Sequence, residues 1–275
     1  MYLAHFLHLF IQTCIQDGIH KMHEIKTLGW TISEWQTAYS KNEIQLDTLK
    51  DLVASIDPQD NAWISIATVE QIEQQIQFFN ELTKEAESLV KQFPLYGVPF
   101  AVKDNIDVAG FVTTAACKAL NTIAVQDAET VRLLKQAGAI VVGKTNLDQF
   151  ATGLVGTRSP YGAVANTFNS KYVSGGSSSG SASVVARGFV PFALGTDTAG
   201  SGRVPAAFNN IVGLKPTKGR FSNRGLLPAC KSLDCISVFA LTVVDADLVA
   251  NVLEAYDPLD SYSRKHPKNV PAHFS

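Results

Sequence analysis

The residues of this sequence that are suited to chemistry are concentrated in two segments rich in glycine and small hydroxyl side chains. The first, VSGGSSSGSASVVARG, covers residues 173–188, and the second, GTDTAGSGR, covers residues 195–203. A serine hydroxyl becomes a good nucleophile only when a neighbouring group takes its proton. The position of a suitable base therefore decides whether either segment is catalytic.

Histidine, the usual base, is absent from the middle of the chain, since all six histidines are at positions 5, 8, 20, 23, 266 and 273. Residues 176–180 match the nucleophile elbow G-x-S-x-G with Ser178 at its centre, but that site needs a later histidine. Only the polar tail offers one. A phosphate-binding loop would need a lysine directly after its second glycine, and a linker would not run into an amphipathic helix. These three interpretations are therefore disfavoured.

Lys103 is the best candidate for a base other than histidine. It ends the apolar run GVPFAV, where an ammonium group is poorly solvated and the pKa of the lysine falls. The alternative is a lysine that reaches solvent from a strand end and pairs with Asp104 or Asp107. Spacing alone leaves both interpretations open.

The second segment has the order of elements that presents a nucleophile. An apolar run precedes it and the helix-compatible VPAAF follows it. Successive backbone N–H groups in such a loop can stabilise an oxyanion, and one donor is typically worth about 10²–10³ in rate. The alternative is a tight turn held by an Asp197–Arg203 pair, which is compatible with the first interpretation.

Hydrophobic periodicity predicts an α/β fold. Capping boxes predict helices over residues 31–39, with Thr31 and Glu34, and over residues 68–92, with Thr68 and Gln71. Further helices are predicted over residues 128–137, 145–151, 181–187 and 245–255. Strands are predicted over residues 98–102, 139–143, 189–194, 211–214 and 238–241. This alternation predicts a sheet covered by helices on both faces.

Composition argues against several classes of function. The net charge is −2 and no basic run stands out, so neither nucleic acid nor a membrane is expected as a partner. Residues 1–21 lack the features of a signal peptide and are interpreted as a poorly ordered extension, with Met22 as the start. The cysteines, at positions 14, 117, 230 and 235, are interpreted as buried apolar residues in a reducing, cytoplasmic environment.

Four segments together resemble the amidase signature family: GVPFAVKDNIDV, GAIVVGKTNLDQFATG, VSGGSSSGSASVVA and GTDTAGSGRVPAAFNNIVGLKPT. The resemblance implies the amidase signature fold, a central mixed β-sheet covered by helices on both faces and expected to be incomplete at its C-terminal end. It also implies a division of the chain. A helical region is expected over residues 22–94, the amidase core over 95–260 and a polar tail over 261–275.

In that family, catalysis uses a Ser–Ser–Lys triad, and the resemblance assigns its members here. Ser201 would be the nucleophile, Ser177 the bridging serine and Lys103 the base. The peptide bond between Gly176 and Ser177 would be cis. An oxyanion hole would be formed by the backbone N–H groups of Thr198, Ala199, Gly200 and Ser201. The resemblance implies no metal and no cofactor, and it allows a homodimer.

Within the family, AGSGR around Ser201, together with LGWTISEWQ, DNAWIS and PACKSLDCISVFAL, resembles the allophanate hydrolase branch. This branch implies hydrolysis of allophanate to ammonia and carbon dioxide, with a urea carboxylase as functional partner. Gly202, where many relatives have isoleucine, is expected to make room for a small planar substrate, and Arg158 is one candidate for its carboxylate. Lys118 stands where proline is expected. The alternatives are another small-amide amidase, an A-type amidotransferase subunit, or an inactive fragment.

Overall fold

The computed structural model describes residues 26–82 and 89–265. The proposed extension over residues 1–21, the start at Met22 and residues 266–275 of the polar tail lie outside these ranges. Within them, the chain forms helices and strands in an order close to the predicted one. The helices are α1 (Ile32–Ser40), α2 (Thr48–Ser55), α3 (Val69–Leu82), α4 (Leu89–Gln92), α5 (Glu129–Gln136), α6 (Ser179–Ala186), α7 (Arg203–Phe208) and α8 (Val243–Leu253). The strands are β1 (Trp63–Ile66), β2 (Pro99–Lys103), β3 (Ile140–Thr145), β4 (Phe192–Asp197), β5 (Val212–Leu214) and β6 (Cys235–Ala240).

The strands form one mixed sheet in the order β1-β3-β2-β4-β6-β5. Strand β2 pairs in parallel with β3 and β4, and the other three pairings are antiparallel. Every residue of β2, β3, β4 and β6 is buried. Since successive side chains of a strand point to opposite faces, both faces of this sheet are covered, and the predicted α/β architecture is confirmed.

Both predicted capping boxes are present. Thr31 accepts from the backbone of Glu34, whose carboxylate accepts from the backbone of Thr31, and Thr68 and Gln71 make the same reciprocal pair. The helix predicted over residues 68–92 appears as α3 and α4, and the residues between them lie outside the described ranges. The helices around residues 128–137, 181–187 and 245–255 are also confirmed, with ends that shift by one or two residues.

The helix predicted over residues 145–151 is wrong. Strand β3 continues to Thr145, which pairs with both Trp63 and Lys103. Only a short 3-10 turn follows at Gln149–Ala151, and Phe150 within it has a φ of 54°. A non-glycine residue in this left-handed region interrupts an α-helix.

Strand β1 and helix α2 were not predicted, and both lie in the segment expected to be helical. Strand β1 has only four residues and pairs with β3 at the edge of the sheet, so the segment 22–94 contributes directly to the sheet of the core.

Of the cysteines, Cys235 is buried, Cys117 is half-buried and Cys230 is exposed. The interpretation of all four as buried residues is therefore wrong, and Cys14 lies outside the described ranges. No helix in the described ranges is long and apolar enough to cross a membrane.

Candidate active site

Lys103 lies at the end of strand β2, fully buried beneath the serine-rich loop. Its Nζ atom donates to Ser177 Oγ at 2.8 Å and to Thr196 Oγ1 at 2.6 Å. The lysine does not reach solvent, and its hydrogen bonds go to hydroxyl groups. Two residues that the resemblance paired, 74 positions apart in sequence, are therefore in direct contact.

Burial lowers the pKa of Lys103 to about 7, and the carboxylates of Asp148, Asp234 and Asp197 partly oppose this shift. The direction follows from solvation, because an ammonium group without water is destabilised relative to the neutral amine. Near neutral pH a large fraction of Lys103 is thus an uncharged amine with a lone pair. A base poised near pH 7 is suited to proton transfer.

The serine-rich loop is attached to strand β4 by hydrogen bonds of Ser178. The hydroxyl of Ser178 donates to the carbonyl of Thr196 at 3.1 Å and accepts from its N–H at 3.2 Å. The Gly176–Ser177 peptide bond is cis. A Cβ atom on Gly176 would lie 2.2 Å from Asp148 Oδ2, so only glycine fits at this position. Ser178, the centre of the elbow pattern, is thus a structural link.

Ser201 lies in the loop between β4 and α7 and is 4% exposed. Its Oγ donates to the carbonyl of Gly153 at 3.5 Å, and its own carbonyl accepts from the N–H of Ser178 at 3.4 Å. Among the described residues, no side-chain hydrogen bond joins Ser201 to Ser177. The structure brings the two serine loops together, with the Ser201 hydroxyl directed to Gly153.

The Ser201 loop is held by the carboxylate of Asp197, as the tight-turn interpretation predicted. The Asp197 carboxylate accepts from the N–H groups of Gly200 at 2.7 Å, Gly202 at 3.1 Å and Arg203 at 3.2 Å. The Arg203 guanidinium adds two further bonds, at 2.9 and 3.0 Å. Burial alone would raise the pKa of Asp197, but the hydrogen bonds from Arg203, Gly200 and Gly202 bring it below its usual value.

These bonds of the Asp197 carboxylate to Gly200, Gly202 and Arg203, here called the Asp197 clamp, bear on the expected oxyanion hole. The N–H of Gly200 is already used by Asp197, so Gly200 is not a free donor in this structure, contrary to expectation. The N–H groups of Thr198, Ala199 and Ser201 have no acceptor within residues 26–82 and 89–265. The Thr198 hydroxyl donates to Asp234, which fixes that end of the loop. Three of the four expected donors therefore remain available.

The interpretation that Gly202 makes room for substrate is wrong. A Cβ atom at this position would lie 2.7 Å from Ser237 Oγ and 3.1 Å from Asp197 Cβ. Ser237 is on strand β6 and fully buried. Glycine at position 202 accommodates the sheet and the Asp197 clamp, so the space beside it is filled by protein.

Two cationic residues singled out from the sequence lie at the surface. Arg158 is exposed, and its backbone N–H donates to Asp148 Oδ1 at 2.8 Å. Its side chain makes no ion pair in the described part of the chain. Lys118 is also exposed, with Nζ 5.3 Å from the centroid of the Tyr161 ring. Neither side chain is committed to a buried ion pair.

Sequence reasoning missed Thr196 and Asp148. Thr196 contacts Lys103 from the end of strand β4, whereas it was predicted to lie in the glycine-rich segment after that strand. Asp148 is fully buried and accepts from the N–H groups of Val155, Gly156 and Arg158. It was predicted to lie in a helix, and only the irregular backbone after β3 lets one carboxylate serve three amides.

Comparisons with known proteins agree with the motifs. The amidase family matches residues 46–275. Urea amidolyase of Saccharomyces cerevisiae is 55% identical over 254 residues, which are 90% of this chain and 14% of that protein. The A subunit of the glutamyl-tRNA(Gln) amidotransferase of Streptococcus pneumoniae is 46% identical over 225 residues, 82% of this chain and 45% of that protein.

A solved structure, the allophanate hydrolase of Kluyveromyces lactis, is 56% identical and superposes with a TM-score of 0.84 over 89% of this chain and 40% of that one. The chain thus spans less than half the length of each of these relatives. The motifs around Lys103, Ser177 and Ser201, the family match and these identities lead to one conclusion: the chain belongs to the amidase signature family.

Proposed function

We propose that this chain provides the catalytic residues of an amidohydrolase that cleaves allophanate through a Ser–Ser–Lys acyl-enzyme mechanism. The observation that carries the proposal is the fully buried Lys103 amine, 2.8 Å from the hydroxyl of Ser177. The identity to urea amidolyase and to an allophanate hydrolase supports the choice of substrate. The chain covers only part of those proteins, so the activity is assigned to these residues as a proposal.

In the proposed reaction, the neutral amine of Lys103 takes the proton of Ser177, and Ser177 takes the proton of Ser201 as Ser201 Oγ attacks the amide carbon. Ser201 must first turn its hydroxyl from the Gly153 carbonyl toward Ser177. The negative charge on the substrate oxygen is then stabilised by the N–H groups of Thr198, Ala199 and Ser201.

The same relay completes the reaction. The proton held by Lys103 returns through Ser177 to the leaving nitrogen, and the C–N bond breaks to release ammonia. A water molecule then attacks the acyl-enzyme along the same path, which frees Ser201 and gives a carboxylated carbamate. That product decomposes to ammonia and carbon dioxide. No metal or cofactor enters these steps.

The substrate carboxylate needs a cationic partner. Arg158 is our candidate, because its guanidinium has no ion-pair partner in the described ranges and its backbone is fixed by Asp148. A urea carboxylase, which would supply allophanate, is the functional partner that we propose. An A-type amidotransferase subunit is the second candidate function, favoured by the 46% identity to such a protein.

Ammonia release tests the proposal. The chain is incubated with allophanate and, separately, with malonamide, acetamide and glutamine. Release from allophanate is expected, together with its loss in Ser201→Ala and a change of less than about twofold in the control Ser183→Ala, in the helix after the serine loop. Faster release from glutamine than from allophanate would favour the amidotransferase, and release that survives Ser201→Ala would refute the proposed nucleophile.

A further inference from the structure

Two neighbouring turns beside Ser201 are built from alanine and phenylalanine in a backbone conformation that favours glycine. Ala115 and Ala116 have φ values of 48° and 58°, and Phe150 and Ala151 have values of 54° and 56°. In the described ranges, the other non-glycine residues with positive φ are Asn42 and Asn210, and asparagine tolerates this region. Such residues persist only where their surroundings enforce the conformation.

The two turns are bonded to each other. The N–H of Phe150 donates to the carbonyl of Ala115 at 2.9 Å, and the side-chain amide of Gln149 donates to the carbonyl of Ala116 at 2.9 Å. The second turn leads directly to Gly153, whose carbonyl accepts from Ser201 Oγ. The Ser201 hydroxyl therefore bonds to a segment, residues 149–153, that is itself hydrogen-bonded to the first turn.

The first turn is held by Asp104. Its carboxylate accepts from both the N–H and the hydroxyl of Thr114, and its carbonyl accepts from the N–H of Ala115 at 3.0 Å. The Thr114 hydroxyl in turn accepts from the N–H of Ala116 at 3.1 Å. Thr114 thus links the carboxylate to the left-handed backbone.

Asp104 is balanced by a second buried lysine. Lys144 Nζ is 3.1 Å from Asp104 Oδ1, and both side chains are fully buried. Burial lowers the pKa of Lys144, and the Asp104 carboxylate opposes only part of this shift. Asp104 directly follows Lys103, the last residue of β2. Lys103 bonds to Ser177 and Thr196, whereas Asp104 bonds to Thr114 and pairs with Lys144.

We propose that Asp104, acting through Thr114 and the turns at 115–116 and 150–151, is a positioning residue for Ser201. The inference rests on the proposed function, because it takes Ser201 as the nucleophile. Asp104 does not contact the reacting atoms. It fixes the position of the Gly153 carbonyl, which holds the Ser201 side chain in place until the hydroxyl turns toward Ser177, and Lys144 is the buried ion-pair partner of the Asp104 carboxylate.

Thr114→Val and Thr114→Ser are the variants that test this. Valine keeps the shape of threonine but loses the hydroxyl, whereas serine keeps the hydroxyl. Two readouts are measured in the chain: amide hydrogen exchange of peptides covering residues 149–153, and the rate at which a fluorophosphonate labels Ser201. In Thr114→Val we expect exchange about tenfold faster and labelling about tenfold slower, the scale of one lost buried hydrogen bond. Thr114→Ser should stay within about twofold of wild type.

Two controls separate positioning from general destabilisation. The midpoint of the pH dependence of labelling should not move in Thr114→Val, because Lys103 keeps its surroundings: Ser177, Thr196 and the carboxylates of Asp148, Asp197 and Asp234. Ser222→Ala removes a comparable buried bond, from Ser222 Oγ to Asp257 at 2.7 Å. It should lower stability without altering exchange at 149–153 or labelling.

The proposal is overturned if Thr114→Val behaves like Thr114→Ser in both readouts, or if exchange rises while labelling is unchanged. If wild type is not labelled, the proposed function fails, and the exchange measurement still decides whether Thr114 supports the second turn. Should Thr114→Val not fold, the double variant Asp104→Asn with Lys144→Met is measured instead. It removes the Asp104 carboxylate that bonds to Thr114, and it leaves no unpaired charge at Lys144. The same changes are expected in it, and unchanged exchange there would also refute the proposal.

Discussion

The buried amine of Lys103 determines the chemistry available to the neighbouring serines. In the part of the chain that the structure describes, Lys103 contacts two hydroxyl groups and no carboxylate. Its neutral form is favoured because no close ion pair replaces the lost water. Lys144 is equally buried but is paired with Asp104. The different partners of these two lysines explain why we assign proton transfer to Lys103.

Replacement of Lys103 by methionine is expected to change how stability depends on pH. The lysine pKa is about 7 in the folded chain against an ordinary value of 10.5, so folding carries the full cost of burying the ammonium below pH 7. That cost shrinks as the pH rises toward 10.5. The free energy of unfolding of Lys103→Met, measured in urea, should therefore exceed that of wild type most at pH 6 and least at pH 10. A difference in free energy that does not vary with pH would contradict the lowered pKa.

Gly202 gives a second prediction at this scale. A side chain at 202 would collide with Ser237 and with Asp197, so Gly202→Ile should distort the Ser201 loop itself. We expect a loss of at least about tenfold in ammonia release, of similar size for allophanate and for acetamide, and a lowered thermal midpoint. A selective loss with allophanate alone would restore the interpretation that glycine makes room for that substrate.

Motifs identified Lys103, Ser177 and Ser201 because each lies in a characteristic local pattern. Thr196, Asp148 and Gly153 lie in the same signature segments, but nothing in their local pattern indicates which residues they contact. Their roles depend on where a strand ends and on which loop crosses it, and these are properties of the folded backbone. The same reason explains Gly200: its N–H looked available in sequence, but the Asp197 carboxylate occupies it.

At the scale of elements, the site is formed by the ends of two neighbouring parallel strands. Strands β2 and β4 pair from Phe100 with Phe192 to Val102 with Leu194, and their carboxyl ends lie at the same edge of the sheet. Lys103 ends the first strand, and Thr196 and Asp197 end the second. The alternation of strands and helices predicted this arrangement in outline.

The loop after β4 should respond to loss of the Asp197 clamp. Asp197→Asn weakens the bonds to Arg203 and to the N–H groups of Gly200 and Gly202, so labelling of Ser201 should slow by about tenfold or more. The Asp197 charge also raises the pKa of Lys103, and its removal should move the midpoint of the labelling rate to lower pH. Asp257→Asn, which breaks a distant ion pair, is the matched control. An unchanged midpoint in Asp197→Asn would contradict the electrostatic part of this prediction.

One element was predicted incorrectly and one short strand was missed, and both outcomes have physical reasons. The segment after β3 has apolar residues at helical spacing, but Asn146 donates its N–H to Ala62 and its side-chain amide to Asn61 and Gly162. These tertiary bonds hold the backbone in an irregular path and override local propensity. Strand β1 is too short for its periodicity to be read, and its position is set by pairing with β3.

At the scale of the whole molecule, a network of ion pairs ties the last described segment to the core. Arg224 bonds to Asp257 and Glu129, and Glu129 also bonds to Arg132. Asp257 additionally accepts from Ser222. Because both carboxylates are buried, the arginine that neutralises them contributes more than a surface pair does.

Arg224→Met should therefore lower the free energy of unfolding by about 2–3 kcal/mol, as measured in urea. The network is separate from the Lys103 contacts, so the labelling rate of the folded variant should stay within about twofold of wild type. A stability change below about 0.5 kcal/mol would show that these buried carboxylates do not depend on Arg224.

The overall architecture was predictable because strands, helices and signature motifs each carry local signals that agree with one another. The order of strands and the two left-handed turns were not, since both depend on contacts between distant residues. The chain matches 14% of urea amidolyase and 40% of an allophanate hydrolase.

The central claim, that Lys103 activates Ser201 through Ser177, is tested most directly by the pH dependence of fluorophosphonate labelling, with the modified residue located by mass spectrometry. The label is expected on Ser201, at a rate that rises with pH through about 7 as the amine loses its proton. Lys103→Met and Ser177→Ala should each reduce that rate by at least about 10². Labelling of another serine, or a rate that Lys103→Met leaves unchanged, would contradict the mechanism.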